Sequence, residues 1–161
     1  MPRKPYTYYR IPIFLTAIIS LVYFTEINRK PAAKKETYLV ERVIDGDTLV
    51  LTMNEKVRLI GIDCPERKEP FYEKAKSRLE ELTLQRSIEL ERDKSDKDRF
   101  GRLLRYIFID NRMANEILLE EGLAKAKAYK PDTKHSILFK QLEQQAKQNQ
   151  RGFWSRIQTA E

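Results

Sequence analysis

Three short stretches rich in apolar residues follow one another with only tight turns between them, and the first and third of them alternate apolar with polar residues. They are Tyr38 to Ile44, Thr48 to Met53 and Val57 to Ile62. The first two flank Asp45-Gly46, a dipeptide that is typical of a β-hairpin. Strands so close in sequence pair with their neighbours, so these residues predict an antiparallel meander.

Two further strands are predicted after the meander, at Ser87 to Arg92 and Leu103 to Ile109. Five short strands with one helix between the third and the fourth is the order of an OB-type barrel. The predicted fold class is therefore α+β, mainly β. Helices are predicted in three places: opening at Glu69-Pro70, from Met113 to Glu121, and from a cap at Asp132 or Thr133 up to Gly152.

The net charge of +7 comes almost wholly from the start of the chain. Residues 1–35 hold seven Lys and Arg against one Glu, whereas residues 36–161 hold 24 Lys and Arg against 23 Asp and Glu. The excess is therefore a basic arm, and the folded part is nearly neutral. Any contact with DNA or RNA must come from locally placed Arg and Lys, because long-range attraction is weak.

Residues 11–24 carry no charged side chain and follow a basic flank, as in a secretory signal. The run is shorter than the roughly 20 apolar residues of a comfortable membrane span, and no convincing cleavage site follows it. We expect an uncleaved signal anchor over residues 1–27, with a cleaved signal peptide as the alternative. The protein is thus expected to be membrane-anchored or secreted. A polar linker (28–36), a globular domain (37–156) and a tail (157–161) complete the predicted organisation.

Asp47 ends the first hairpin turn, Arg58 lies on the third strand, and Asp63 and Glu66 follow that strand. Carboxylates hold hard divalent cations, and a guanidinium binds phosphate in bidentate fashion. Acids and an arginine on one rim therefore suit a metal-assisted attack on a phosphodiester. Taken one at a time, the same residues are equally well explained as a turn residue, solvated loop acids and an arginine paired with an acid.

Cys64 is the only cysteine and His135 the only histidine. A single cysteine excludes an internal disulfide and a cysteine-based zinc site. His135 lies at the start of the last predicted helix and is expected to be exposed, away from the acids. A histidine general base is therefore not expected.

Four segments together carry a resemblance to the staphylococcal nuclease (thermonuclease-like) family. They stand in that family's order: I-D-G-D-T at 44–48, R-L-I-G-I-D-C-P-E at 58–66, D-R-F-G-R at 98–102 and E-G-L-A-K at 121–125. The resemblance extends from about Tyr38 to Trp154. It implies a five-stranded OB-fold barrel with three helices, here preceded by an N-terminal hydrophobic helix. It also implies a calcium-dependent phosphodiesterase that acts on DNA and RNA and leaves 3′-phosphate ends; we expect a monomer.

The resemblance implies a role for each matching acid. Asp47 and Asp63 correspond to the carboxylates that bind Ca²⁺, and Cys64 to the residue whose backbone carbonyl is the third protein ligand. Glu66 corresponds to the residue that positions or deprotonates the attacking water. Because a backbone ligand tolerates any small side chain, the Cys64 thiol is not expected to act as a nucleophile.

The resemblance also implies a set of substrate contacts. Arg58 and Arg102 correspond to the pair that grips the scissile phosphate, and Arg99, where the family usually has lysine, to a contact with the terminal phosphate. Tyr129 corresponds to an aromatic nucleotide contact. Lys127 stands near the place of a second tyrosine in a segment that is one residue shorter, and either weaker stacking or a phosphate contact is expected there. Packing of Tyr129 on the last helix remains an alternative.

Two other functions are compatible with an OB barrel. A non-catalytic module that binds nucleic acid or a protein is the first, because many OB barrels do only that. Such a module is expected to have lost some of the five residues Asp47, Arg58, Asp63, Glu66 and Arg102, and this chain has all of them. A membrane-tethered interaction protein is the second, and it predicts no stabilisation by calcium on heating.

Overall fold

The computed structural model describes residues 37–159 of the 161-residue chain. The predicted hydrophobic segment at residues 11–24, its basic flank and the polar linker lie outside the described residues, as do residues 160–161. Among the described residues, no helix combines the length and the apolar character needed to cross a bilayer.

Eight strands, three α-helices and one 3₁₀ segment make up the described part of the chain. The strands are β1 (Thr37–Asp45), β2 (Thr48–Leu51), β3 (Lys56–Leu59), β4 (Ile62–Asp63), β5 (Ser87–Glu91), β6 (Leu103–Ile109), β7 (Arg112–Met113) and β8 (Lys125–Ala126). The helices are α1 (Tyr72–Thr83), α2 (Ala114–Glu120) and α3 (Ser136–Gln148), and the 3₁₀ segment is Gly152–Thr159.

Five of these strands form a closed barrel. β1 pairs antiparallel with β2, and β2 with β3, which confirms the predicted meander. β5 pairs with the other edge of β1, and β6 pairs with β5. A parallel pairing of β3 with β6 closes the barrel, with Val57 opposite Leu103 and Arg58 opposite Leu104. The five-stranded barrel with three helices confirms the predicted OB fold.

The barrel interior and the inward faces of the helices share one apolar core. In α1 the buried side chains Ala75, Leu79 and Leu82 recur at helical spacing, as predicted. In α3 Phe139 and Leu142 are buried in the same way. Burying an aliphatic or aromatic side chain of this size stabilises a fold by about 1.5–3 kcal/mol, so the core fixes the positions of the loops at the barrel rim.

The third predicted strand is interrupted, and the interruption shapes the rim. The chain turns at Gly61, whose φ of 78° is left-handed and whose position leaves no room for a Cβ beside the Phe139 ring. β3 therefore ends at Leu59, and β4 (Ile62–Asp63) pairs instead with β8. The prediction of one continuous strand from Val57 to Ile62 was wrong for this reason.

Two helices begin later than predicted. Phe71 precedes α1 with a left-handed φ of 70°, so the helix begins at Tyr72 and Pro70 is not its first residue. α3 begins at Ser136 with His135 at its N-cap position, so neither Asp132 nor Thr133 caps it, and it ends at Gln148 rather than at Gly152. His135 is half-buried and bonds Glu91, against the expectation that it is exposed.

Candidate active site

Asp47 is held at the barrel rim by the hairpin between β1 and β2. A Cβ on Gly46 would lie 2.7 Å from the Cβ of Cys64, so only glycine allows the hairpin to approach that residue. The Asp47 carboxylate accepts hydrogen bonds from the Cys64 backbone N–H (2.9 Å) and from the Thr48 hydroxyl (3.2 Å). Asp47 is 7% exposed. Burial raises the pKa of its carboxyl to about 7, although Arg58 and the Cys64 N–H act in the opposite direction.

Arg58 lies between the two aspartates. Its Nη2 atom is 3.0 Å from Asp47 Oδ2 and 3.3 Å from Asp63 Oδ1. Its Nη1 atom donates to the backbone carbonyls of Leu59 and Ile62, at 2.9 and 3.1 Å. The side chain is only 16% exposed. Four acceptors therefore fix its guanidinium between two acids, as the interpretation of Arg58 as an arginine paired with an acid also predicts.

Asp63 lies at the end of β4, and the lysine that contacts it follows β8 directly. The pairing of Asp63 with Lys125 brings the chain around so that Lys127 Nζ reaches Asp63 Oδ2 at 2.9 Å. Hydrogen bonding to Asp63 raises the pKa of Lys127. Asp63 thus has a cation on each carboxylate oxygen: Arg58 on Oδ1 and Lys127 on Oδ2.

Cys64 and Glu66 follow directly at the same rim. Cys64 is buried, and burial raises the pKa of its thiol well above the usual range, which argues against a reactive thiolate. Glu66 is exposed, and within residues 37–159 no hydrogen bond or ion pair engages its carboxylate. Its backbone N–H donates to Glu69 Oε2 at 2.7 Å, which anchors the turn that carries it.

Arg102 is positioned by the turn that leads into β6. Asp98 Oδ2 accepts from Arg102 Nε at 2.7 Å, and Asp98 Oδ1 accepts from the backbone N–H groups of Phe100 and Arg102. Gly101, with a φ of 78°, allows the turn. One carboxylate therefore fixes both the turn and the arginine side chain, and the role of Asp98 is not evident from its place in a run of charged residues.

Arg58 and Arg102 line a common groove of about 550 Å³, which we call the arginine groove. Its wall also includes Arg99, Phe100, Lys127 and Tyr129. Phe100 and Tyr129 are 69% and 62% exposed, so their rings are accessible. The Arg99 guanidinium lies 4.8 Å from the Phe100 ring centroid, and Lys127 Nζ lies 5.7 Å from that of Tyr129. Cations beside accessible aromatic rings are typical of surfaces that bind single-stranded nucleic acid.

The exposure of Tyr129 does not fit packing on α3, since a ring packed there would be covered. Phe100 is a groove residue that the sequence reasoning missed, because an aromatic in a charged loop carries no periodic signal. Asp132 was also missed. It is buried and accepts from the backbone N–H groups of Lys94 and Ser95, at 3.0 and 2.7 Å, and so ties the Tyr129 loop to the loop that precedes Arg99.

The Asp98 contacts predict a pH-dependent stability. Burial alone raises the pKa of Asp98, but the hydrogen bonds from Arg102 and the two backbone donors outweigh it, so its pKa in the folded protein lies below the usual value. A depressed pKa stabilises the fold above the unfolded pKa of about 3.9, and this stabilisation is lost as the pH falls. We expect Asp98→Asn to destabilise the protein by about 1–3 kcal/mol at pH 7.

Urea unfolding of both proteins at successive pH values measures this difference. The difference between the free energies of unfolding of wild type and variant is expected to narrow below about pH 4, because Asp98 of the unfolded wild-type chain then begins to bind a proton. A difference that widens as the pH falls would contradict the assignment of Asp98 as an ionised anchor.

The donors at the rim fit a hard divalent cation. Calcium takes carboxylate and carbonyl oxygens in flexible geometry, and Asp47, Asp63 and the Cys64 carbonyl are donors of that type. Among the described residues, no three His, Cys, Asp or Glu side chains come together as a metal site, so Glu66 does not complete a third side-chain ligand. The two aspartates are instead bridged by Arg58.

The chain is similar in sequence to known nucleases. A family model described as "Staphylococcal nuclease homologue" matches residues 56–156. A thermonuclease of Staphylococcus intermedius is 41% identical, over 89% of this chain and 95% of that protein. A thermonuclease of Staphylococcus hyicus is 37% identical, over 76% and 78%. The endonuclease YncB of Bacillus subtilis is 39% identical, over 78% and 67%.

Proposed function

The chain belongs to the staphylococcal nuclease family and is a nuclease, and we propose that it is a calcium-dependent endonuclease that hydrolyses phosphodiester bonds in both DNA and RNA. The observation that carries this proposal is the pair Asp47 and Asp63 against one guanidinium nitrogen of Arg58, beside a groove that also contains Arg102. Acids for a cation and two arginines for a phosphate thus adjoin one another at the barrel rim.

Asp47, Asp63 and the Cys64 carbonyl would hold the calcium ion. When bound, the ion polarises the phosphate and neutralises charge on it. The buried hydrogen bonds of Asp47 to Thr48 and the Cys64 N–H keep its carboxylate in place without the ion. Because the pKa of Asp47 is raised, protons compete with the cation for its carboxylate oxygens.

Glu66 acts as the general base in this proposal. Its exposed carboxylate adjoins Asp63 and Cys64 in one cavity and is engaged by no other described group, so it is available to a water molecule. The water oxygen attacks phosphorus and its proton passes to a Glu66 carboxylate oxygen. The bond from phosphorus to the leaving oxygen breaks, its electron pair stays on that oxygen, and the oxygen takes a proton from solvent water. General base catalysis of this kind contributes about a hundred- to ten-thousandfold.

Arg58 and Arg102 stabilise the charge that develops on the phosphate. Asp98 binds only the Nε atom of Arg102, so the two terminal nitrogens of this arginine remain for the substrate. The terminal nitrogens of Arg58 are less available to substrate, because they already bind two aspartates and two backbone carbonyls. We therefore assign the direct bidentate contact to Arg102, and to Arg58 both a phosphate contact and the spacing of the aspartates.

Arg99, Lys127 and Tyr129 complete the proposed substrate contacts. Tyr129 offers an accessible ring for a base or sugar, and Arg99 a charge for a terminal phosphate. Lys127 is held to Asp63 by an ion pair, so in the free protein it screens that carboxylate. A phosphate contact by Lys127 requires it to leave Asp63, which calcium binding at Asp63 would favour.

The direct test uses the full-length protein with single-stranded DNA and, separately, single-stranded RNA. We expect cleavage of both in millimolar calcium and its loss in an excess of a calcium chelator, with recovery when calcium is returned. The same samples, heated with and without calcium but without nucleic acid, are expected to show a higher melting temperature with calcium. Nucleic acid that is bound in calcium but stays uncut would contradict the proposal.

We also propose that residues 11–24 anchor a monomeric enzyme in a membrane. The uncharged run behind a basic flank supports this, and secretion after cleavage of the segment is the alternative. Intact mass of the native protein distinguishes the two, since cleavage removes the segment.

A further inference from the structure

A second cleft is lined by Asp63, which also contacts Arg58 and Lys127 of the arginine groove. It encloses about 430 Å³, and we call it the aromatic cleft after its two phenylalanines, Phe71 and Phe153. One wall carries Asp63, Cys64 and Glu66, so the cleft begins where the proposed reaction takes place. The proposed role of Glu66 as a general base does not explain why this cleft has an aromatic wall.

The two phenylalanine rings come from distant parts of the chain and meet edge to face. Their centroids are 6.3 Å apart at an interplanar angle of 76°, and both side chains are half-buried. Lys74 Nζ lies 5.8 Å from the Phe71 centroid, and Lys125 Nζ lies 5.7 Å from the Phe153 centroid. Both lysines are exposed, so each ring has a cation at its solvent side.

Backbone contacts hold both rings in place. The carbonyl of Phe71 accepts the first α1 bond from Ala75 N–H at 2.9 Å, in spite of the left-handed conformation of Phe71. Phe153 N–H donates to the Gly122 carbonyl at 3.1 Å. A Cβ on Gly122 would lie 2.2 Å from the Arg151 carbonyl oxygen, so glycine is required for this approach. A left-handed phenylalanine and a close backbone approach thus position the two rings.

The charges of the cleft select the part of a nucleotide that fits. Glu66 and Glu69 line it beyond Asp63, and carboxylates that hold no cation repel a phosphate. A nucleobase is uncharged, stacks on aromatic rings regardless of its identity and has room in a cavity of this size. Lys74 and Lys125 lie where they offset the repulsion between these acids and an approaching strand.

We propose that the aromatic cleft binds the base of the nucleotide on the far side of the scissile phosphate from the arginine groove. This rests on the proposed function, since it requires the phosphate to lie at Asp63 between the two. The substrate strand then crosses the rim with one base near Tyr129 and the next against Phe71 and Phe153. We expect the cleft to tolerate different bases, because every base has a face that stacks on an aromatic ring.

A dithymidine phosphodiester tests this assignment, because it has one cleavable bond and one base on each side of it. Two isomers replace either the upstream or the downstream thymidine by an abasic residue. In wild type we expect each isomer to have a kcat/KM about tenfold lower than the parent, since one stacked base is lost in each.

Phe153→Leu and Phe71→Asn are the diagnostic variants. Leucine keeps an apolar side chain at residue 153, and asparagine tolerates the left-handed conformation at residue 71. Each variant is expected to lower kcat/KM about tenfold for the parent and for the isomer that keeps its base in the cleft. The isomer without that base is expected to be cleaved at the wild-type rate. Tyr129→Leu is expected to show the same pattern with the two isomers exchanged. Met53→Ala, at an exposed residue of the β2–β3 hairpin, is expected to leave kcat/KM unchanged for all three substrates.

Three results would overturn the assignment. A uniform loss for all three substrates in Phe153→Leu and Phe71→Asn would indicate a structural role for the rings. No loss for any substrate would indicate that the rings do not contact the base. If wild type cleaves none of the substrates nor longer single strands in calcium, the proposed function itself fails and the cleft assignment with it.

Discussion

Glu66→Gln is expected to lower kcat by about a hundred- to ten-thousandfold, with little change in KM. Glutamine has the size of glutamate and keeps an oxygen for hydrogen bonding, but it does not accept the proton of the attacking water. The exposed position of Glu66, with no described partner for its carboxylate, means that the substitution removes no stabilising contact. Initial rates on single-stranded DNA in saturating calcium measure the effect.

Glu73→Gln is the matched control, since Glu73 is an exposed acid in the first turn of α1 and lies outside the candidate site. It makes the same charge change and is expected to keep wild-type rates. Both variants are expected to melt at the wild-type temperature in the absence of calcium. Glu66→Gln with a kcat within a few-fold of wild type would remove Glu66 from the mechanism and leave the base unidentified.

Arg102→Ala is expected to lower kcat/KM by about a hundred- to a thousandfold, the loss typical when one donor to a developing charge is removed. Arg102→Lys is expected to restore little of it, because an ammonium group cannot offer two parallel N–H donors to two phosphate oxygens. Lysine also loses the Nε contact with Asp98, so the side chain is no longer oriented. Steady-state kinetics on the same oligonucleotide measure both variants.

Arg112→Lys provides the comparison, because Arg112 is an exposed arginine in β7 whose partner is Glu120. Its kinetics are expected to match wild type. Since Arg102→Ala also leaves Asp98 without its cation, a modest loss of melting temperature is expected and is measured separately. Equal activity of Arg102→Lys and wild type would show that a single positive charge suffices and that the bidentate contact is wrong.

The barrel was predictable because its strands have strong local signals. β6 has the predicted bounds Leu103–Ile109, and the Asp110-Asn111 turn that ends it has both residues at positive φ. Such signals come from residues adjacent in sequence, so one sequence suffices to identify them. The membership of Asp47, Arg58 and Asp63 in one cluster was likewise predictable from the motifs that contain them.

Features that depend on distant contacts were not predictable. Phe71 is an apolar residue at helical spacing from Ala75, and nothing local shows that it takes a left-handed conformation and ends up against Phe153. Asp132 has the sequence signature of a helix cap, but its carboxylate binds backbone donors in another loop. In both cases a tertiary contact outweighs a local preference, which a single sequence cannot reveal.

The parallel seam between β3 and β6 has a consequence for how this enzyme can lose activity. Arg58 lies within the seam, opposite Leu104, and Arg102 immediately precedes it. The two arginines that we propose to bind the phosphate are therefore brought together only when segments far apart along the chain pair, which is a slow step in folding. Catalytic activity therefore depends directly on the pairing of β3 with β6. Partial separation of these two strands would abolish activity, while the helices and most hairpins would still give a native-like circular dichroism spectrum.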